Sequence, residues 1–184
     1  VEYEKTRKVL ADFINAKKEE IVFTNGTTSG INMVSYGLGE MIINPQDEII
    51  ISEAEHASNI LPCYRIADTK QAKIVFVPLD KDGKITVENL LKVISEKTKI
   101  ISLAHVGNVL GYELDVKNIS KICQERNIIF VLDGAQSIAH QKIDVKDLGC
   151  DFFVISAHKM LGPTGVGAVY GRLDLLEEMP PFIL

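Results

Sequence analysis

The sequence predicts an α/β protein, a three-layer α/β/α sandwich on a mostly parallel sheet. Short apolar runs recur along the chain, and amphipathic helical patterns separate several of them. Most runs are continuously apolar rather than alternating, which is typical of strands that helices bury on both faces. A length of 184 residues with 46% hydrophobic and 24% charged residues fits one compact domain.

The elements follow from these patterns in chain order. Strands are predicted at 20–24, 47–52, 72–79, 99–106, 128–133, 151–156 and 166–171. Helices are predicted at 1–15, 31–42, 59–66, 86–94 and 116–123, where apolar residues recur at helical spacing. Thr86 and Asp115 are placed to cap the last two helices. The segment PLDKDGKIT predicts a turn.

Composition excludes several classes of function. A net charge of -5 without a basic cluster offers no surface for nucleic acid. The apolar runs fall far short of the roughly 20 residues that cross a bilayer, so we expect no membrane span and no signal peptide. The 3 cysteines are widely spaced, which predicts neither a disulfide framework nor a zinc site. We expect a cytoplasmic protein without a structural metal.

Both ends of the sequence suggest a larger parent protein. The chain opens without methionine inside a predicted helix and stops at EMPPFIL without a closing element. We therefore expect residues 1–184 to be one domain of a longer protein, truncated at both ends.

Polar residues follow the predicted strands, at the sheet edge where α/β proteins carry their chemistry. After the first strand, NGTTSG at 25–30 leads into a predicted helix. Its hydroxyls, free N–H groups and helix dipole suit a phosphate, although a capped helix with a glycine turn explains the same residues. His56 follows the next strand. An imidazole at this position either stacks on a flat ligand or transfers protons; the alternative is a purely structural role.

Three further strand ends each carry one distinctive residue. Asn108 lies between glycines in GNVLG, either as an amide donor or as a turn residue. Asp133 ends an apolar strand, and a carboxylate at that depth needs the next helix's N–H groups or a cation. Lys159 follows another apolar strand, where poor solvation favours a neutral amine that attacks carbonyls, unless it belongs to a surface loop.

Together, these strand ends predict a pocket for pyridoxal 5′-phosphate. Lys159 would hold the cofactor aldehyde as an imine, and Asp133 would keep the pyridine nitrogen protonated so that the ring accepts electrons. The NGTTSG loop would cradle the phosphate, His56 would contact the flat ring, and Asn108 would donate a hydrogen bond. The combination is far more specific than any one member.

The segments TNGTTSGIN, SEAEHASNILP, GNVLG, LDGAQS and SAHKMLGPTGVGAVYG occur in this order. With them the sequence resembles the class V aminotransferase-like pyridoxal phosphate enzymes, most closely cysteine desulfurases and their selenocysteine lyase relatives. The resemblance implies that Lys159 forms the internal aldimine, that His56 stacks over the ring, and that Asp133 pairs with its nitrogen. The other implied contacts are Gln136 with the phenolic oxygen, Asn108 on the substrate side, and Thr27 or Thr28, Ser156 and His158 with the phosphate.

The resemblance implies that residues 1–184 are the pyridoxal phosphate-binding large domain of such an enzyme. It also implies a reaction. L-cysteine, or L-selenocysteine in some relatives, loses its sulfur or selenium to leave L-alanine, and freed Lys159 is the base for the α-proton. The resemblance further implies a homodimer, a sulfur-acceptor protein as partner, and a role in iron–sulfur cluster assembly. An aminotransferase, an epimerase or a selenocysteine lyase of the same fold, and a non-catalytic scaffold that binds pyridoxal, remain alternatives.

Two departures from the family pattern affect these expectations. Gly107 stands where many relatives have serine, which is expected to loosen the pocket wall. The family's nucleophilic cysteine loop and substrate-binding arginine have no match in this sequence, so we expect the isolated chain to be inactive. Cys63, Cys123 and Cys150 do not match the nucleophile's context, and we expect Cys123 and Cys150 to be packing residues.

Overall fold

The computed structural model of the protein describes residues 2–182. Its strands are β1 Ile21–Thr24, β2 Glu48–Ser52, β3 Lys73–Val77, β4 Thr98–Ala104, β5 Ile129–Asp133, β6 Phe152–Ser156 and β7 Gly167–Gly171. Its α-helices are α1 Glu2–Phe13, α2 Thr27–Ile42, α3 Ala57–Lys70, α4 Val87–Leu91, α5 Val116–Arg126, α6 Val145–Leu148 and α7 Leu173–Glu178. Each predicted strand is confirmed with small shifts at its ends. The predicted start of the first helix, Val1, lies outside the described residues.

The strands form one sheet in the order β1-β7-β6-β5-β4-β2-β3. The pairs from β6 through β5, β4 and β2 to β3 are parallel, whereas β7 is antiparallel to both of its neighbours. The prediction of a mostly parallel sheet is therefore confirmed. The carboxyl ends of β2, β4, β5 and β6 lie along the same edge of the sheet, where a ligand site is expected.

Both faces of the sheet are buried, as the continuously apolar strands predict. Ile49 and Ile51 belong to a core with α2, α3 and α7, whereas Ile50 between them belongs to a second core with α1, α4, α5 and α6. The three-layer arrangement is thus confirmed. Of the helices within residues 2–182, none is both long and apolar enough to cross a membrane.

The helix predicted at 86–94 is shorter in the structure. Thr86 caps it as expected, because its hydroxyl accepts a hydrogen bond from the N–H of Asn89 at 3.1 Å. The regular helix ends at Leu91, and the chain then turns between Ser95 and Thr98, whose hydroxyl accepts from Ser95 N at 3.0 Å. The apolar residues beyond Leu91 therefore pack from a turn rather than from a helix.

A close approach of two backbones fixes the start of α2 against the sheet. A Cβ atom on Gly167 would lie 2.5 Å from the Cα of Gly26 and would also collide with the carbonyl oxygen of Ile155. Gly26 has a φ of +136°, which residues with side chains rarely adopt. These two glycines let the first turn of α2 reach the carboxyl end of β6.

Candidate functional site

A cleft with a cavity volume of about 200 Å³ opens at the carboxyl ends of the parallel strands, beside the first turns of α2 and α3. It is lined by all of the residues that the sequence predicts for a cofactor: Thr27, Thr28, His56, Asn108, Asp133, Gln136, Ser156, His158 and Lys159. The fold therefore brings these residues together, and the role of each stays a prediction.

The amino terminus of α2 forms one end of this cleft. Ser156 accepts a hydrogen bond from the N–H of Thr27 at 2.7 Å and donates its hydroxyl to Thr27 Oγ1 at 2.9 Å. The Ser156 hydroxyl is thus occupied within the protein, which leaves the hydroxyl hydrogens of Thr27 and Thr28 as donors. Gly26 offers no capping side chain, and the first-turn N–H groups with the helix dipole attract an anion.

Asp133 lies at the end of β5 and is only 6% exposed. Its Oδ1 accepts a hydrogen bond from the N–H of Ala135 at 2.9 Å, and no hydrogen bond from residues 2–182 reaches Oδ2. Burial raises the pKa of this carboxyl, while the Ala135 contact and the charges of Lys159 and His56 act in the opposite direction. The free oxygen is suited to a cationic N–H donor.

His56 is exposed to the cleft and caps α3. Its Nδ1 accepts a hydrogen bond from the N–H of Ser58 at 3.1 Å and lies 2.8 Å from the Ser58 hydroxyl. Because a backbone N–H can only donate, the neutral imidazole carries its proton on Nε2. Ser58 also lines the cleft and was not among the residues predicted from the sequence, because a histidine is not a usual helix cap.

Lys159 lies in a short 3-10 helix, Ala157–Met160, that continues directly from β6. The residue is half-buried, and its Nζ forms no hydrogen bond or ion pair with the described part of the chain. Its charge acts on the carboxyl of Asp133. An amine without a protein partner beside a buried acid is available for covalent chemistry.

The remaining predicted residues form the rim of the cleft. Asn108 and His158 are exposed, and Gln136 is half-buried. Asn108 lies in a tight turn, which is closed by a hydrogen bond from the N–H of Gly111 to the carbonyl of Gly107 at 3.0 Å. A backbone hydrogen bond closes this turn, and the side-chain amide of Asn108 forms no hydrogen bond with residues 2–182.

The cysteines lie apart from this cleft. Cys63, Cys123 and Cys150 are all buried with free thiols, and none of them lines it. Burial raises the pKa of Cys63 and of Cys123 to about 12, and it also raises the pKa of Cys150. Across residues 2–182, no group of three or more His, Cys, Asp or Glu side chains is arranged to hold a metal ion.

A family model described as aminotransferase class-V matches residues 1–184. The chain belongs to this family. It is 48% identical over 180 residues to a probable cysteine desulfurase of Halalkalibacterium halodurans, covering 97% of this chain and 44% of that protein. It is 46% identical over 180 residues to a probable cysteine desulfurase of Staphylococcus epidermidis, again covering 44% of the relative. The chain thus spans less than half the length of these curated relatives.

Several solved structures have the same fold as this chain. The cysteine desulfurase CsdA of Escherichia coli superposes with a TM-score of 0.96 at 37% identity, over 99% of this chain and 46% of that one. A cysteine desulfurase of Thermococcus onnurineus gives a TM-score of 0.94 at 39% identity, over 99% of this chain and 45% of that one. A C-DES mutant with glycine covalently linked to its PLP cofactor gives 0.91 at 25% identity, over 99% of this chain and 48% of that one.

The residues of the cleft fit pyridoxal 5′-phosphate. The free Oδ2 of Asp133 suits the ring nitrogen, and the unpartnered Nζ of Lys159 suits the aldehyde. The amino terminus of α2, with Thr27 and Thr28, suits the phosphate. These features are independent of one another, and each matches a different part of the same molecule.

Proposed function

We propose that this protein is part of a pyridoxal phosphate-dependent cysteine desulfurase, which converts L-cysteine to L-alanine and passes the sulfur to an enzyme cysteine. One observation carries the proposal: within the described residues, the unpartnered Nζ of Lys159 shares a cleft with a buried Asp133 whose Oδ2 is free. The relatives and solved structures named cysteine desulfurases support the choice of reaction.

When bound, pyridoxal phosphate supplies an electron sink for charge that develops at the substrate Cα. Asp133 holds a proton at the ring nitrogen, because its buried carboxylate gains a charge-assisted hydrogen bond there. The first turn of α2 binds the phosphate and so fixes the position of the ring.

Lys159 has two tasks in this proposal. Its Nζ would hold the cofactor at the aldehyde carbon, and as a free amine it would accept the proton from the substrate Cα. The same flexible side chain serves both tasks, since the released nitrogen is left beside the atom that must lose a proton.

His56 covers one face of the ring. Because Ser58 N–H donates to its Nδ1, the imidazole is held at the start of α3 with its proton on Nε2. A fixed orientation keeps the flat faces of the two rings together and excludes water from that side.

The proposal extends to the whole protein. We expect a homodimer in the cytoplasm, a sulfur-acceptor protein, and a contribution to iron–sulfur cluster assembly. The nucleophilic cysteine and the arginine for the substrate carboxylate would come from sequence outside residues 1–184. Support comes from the burial of Cys63, Cys123 and Cys150, which leaves none of them able to reach a substrate.

The test is covalent attachment of the cofactor. Purified protein is mixed with pyridoxal phosphate, reduced with borohydride and digested, and the modified peptide is located by mass spectrometry. We expect the adduct on Lys159, a complete loss of it in Lys159→Ala, and no change in Lys121→Ala, which removes an exposed lysine of α5. An adduct that persists on another lysine in Lys159→Ala would contradict the proposal.

A further inference from the structure

A buried polar cluster adjoins His56, and the proposed chemistry does not use it. It consists of Ser52, Glu55, Asn59 and Ser102, whose exposed fractions are 0%, 8%, 0% and 1%. These residues come from the end of β2, the segment before α3, α3 itself and β4. The cluster therefore joins the elements that form one wall of the cleft.

The directions of its hydrogen bonds favour an ionised carboxylate on Glu55. Ser102 donates its hydroxyl to Asn59 Oδ1 at 2.6 Å, so the amide nitrogen of Asn59 faces Glu55 Oε2, at 2.8 Å. Ser52 Oγ accepts from the N–H of Ala54 at 3.1 Å and donates its own hydrogen to Glu55 Oε1 at 3.0 Å. Both oxygens of Glu55 are therefore acceptors in this arrangement.

Burial works against that ionisation. Desolvation raises the pKa of Glu55 to about 7, against the opposing effect of its donors, and the negative charge of Asp133 adds to the rise. The groups that face Glu55 are Ser52 from β2, Asn59 and the Cys63 thiol from α3, the Ala104 backbone from β4, Tyr112 from the following loop, and Asp133 from β5. Within the described residues, no cation is among these neighbours.

The position of Glu55 connects this cluster to the cleft. It directly precedes His56, and the N–H of Asn59 donates to the carbonyl of His56 at 2.8 Å. Anchoring Glu55 and Asn59 therefore fixes the backbone on both sides of the histidine.

We propose that Glu55 is a positioning residue of the cofactor site, which holds His56 in place and whose ionisation adds negative charge to the cleft beside Asp133. This inference rests on the proposed binding of pyridoxal phosphate. A second negative charge stabilises a protonated nitrogen on the ring or at Lys159, so that removing it makes these nitrogens less basic.

The experiment compares wild type with Glu55→Gln, which keeps the shape of the side chain but cannot ionise. Glu53→Gln is the matched control, because it removes an exposed carboxylate two residues away. In protein loaded with pyridoxal phosphate, the visible absorption band is titrated with pH. We expect its apparent pKa to fall by about one unit in Glu55→Gln and to stay at the wild-type value in Glu53→Gln.

A second readout needs no cofactor. Glutamate carboxyl carbons are labelled with ¹³C and titrated by NMR, where we expect one signal with a midpoint near neutral pH that is absent from Glu55→Gln. Ser52→Ala removes one donor to the ionised form but keeps the carboxyl, so it should move this midpoint upward. If Glu55→Gln does not fold, the shift of the midpoint in Ser52→Ala identifies the Glu55 signal instead.

The outcomes separate this inference from the proposed function. A Glu55 signal that titrates like an exposed glutamate, or a cofactor band that titrates identically in wild type and Glu55→Gln, would overturn the inference alone. Wild-type protein that takes up no pyridoxal phosphate would instead contradict the proposed function and, with it, any effect of Glu55 on the cofactor.

Discussion

Two buried aspartates lie at opposite edges of the same sheet and differ in what surrounds them. Asp151, just before β6 at the amino edge, accepts hydrogen bonds from the N–H of Phe130 at 2.8 Å and from Arg172 Nη1 at 2.7 Å. Asp133, at the carboxyl edge, accepts only from Ala135 within the described residues. Burial raises the pKa of both carboxyls, so the difference lies in their partners.

This difference separates a structural acid from a functional one. Both oxygens of Asp151 are satisfied by the protein, and its contacts join β5, β6 and the segment before α7. A carboxylate that is buried with one oxygen free loses solvation without full compensation. Such an arrangement is expected where a ligand completes the hydrogen bonding. Of the two aspartates, only Asp133 has it, and its charged neighbours are Lys159 and His56.

The largest effect we expect concerns turnover. The isolated chain, supplied with pyridoxal phosphate and L-cysteine, should release little or no sulfide and alanine. Sulfur transfer needs a thiolate at near-attack distance, and burial keeps Cys63 protonated and away from the cleft. Product release is measured for this chain and for Cys63→Ser. Rapid turnover that disappears on this substitution would mean that the chemistry has been assigned to the wrong part of the molecule.

The second prediction concerns the functional acid. In the full-length protein, Asp133→Asn should retain cofactor but exchange the α-proton of bound cysteine at least about tenfold more slowly, because an amide cannot hold the pyridinium charge. Exchange is followed by NMR in deuterated water. A rate equal to that of wild type would show that Asp133 serves only to cap the turn at Ala135.

The third prediction compares the stability of both acids directly. Asp151→Ala should lower the free energy of unfolding by about 3 kcal/mol, because it leaves the buried Phe130 N–H without a partner and separates Arg172 from its acid. Asp133→Ala should cost about 1 kcal/mol or less, since one hydrogen bond is lost. Urea denaturation measures both values. Equal losses would remove the distinction between the two edges of the sheet.

The pH dependence of Asp133→Ala provides a further check within this comparison. A carboxyl whose pKa is higher in the folded than in the unfolded protein contributes stability at low pH and loses it as the pH rises through the folded value. The Asp133→Ala variant has no carboxyl at this position, so it does not lose stability in this way as the pH rises. Its stability relative to wild type should therefore improve as the pH rises above about 4, the ordinary value for aspartate.

The sequence predicted most of the carboxyl edge, because continuously apolar strands end there on isolated polar residues such as Asp133 and Lys159. It could not predict contacts between distant segments. The bond between Ser156 and Thr27 joins residues 129 positions apart, and the one from Arg172 to Asp151 depends on β7 running antiparallel.

Short elements and the burial of single polar residues were also missed. α6 and α7 have 4 and 6 residues, too few for a helical period to be recognised. Glu53 and Glu55 are alike in the sequence, yet one is exposed and the other lies in the polar cluster. Only the end of β2 and the start of α3 decide which of the two faces inward.

The smallest effect is expected at Gly107, where the sequence predicts a loosened pocket wall. A Cβ atom there would lie 3.6 Å from the ring of Tyr112, which is ordinary van der Waals contact. Gly107→Ser should therefore fit and should raise the free energy of unfolding by at most about 0.5 kcal/mol, through the lower entropy of the unfolded chain. Gly167→Ala is the matched control, because its Cβ would lie 2.5 Å from Gly26 Cα and should cost several times as much. Urea midpoints of both variants decide the point: a loss above about 1 kcal/mol in Gly107→Ser would mean that the glycine is required by the turn around Asn108.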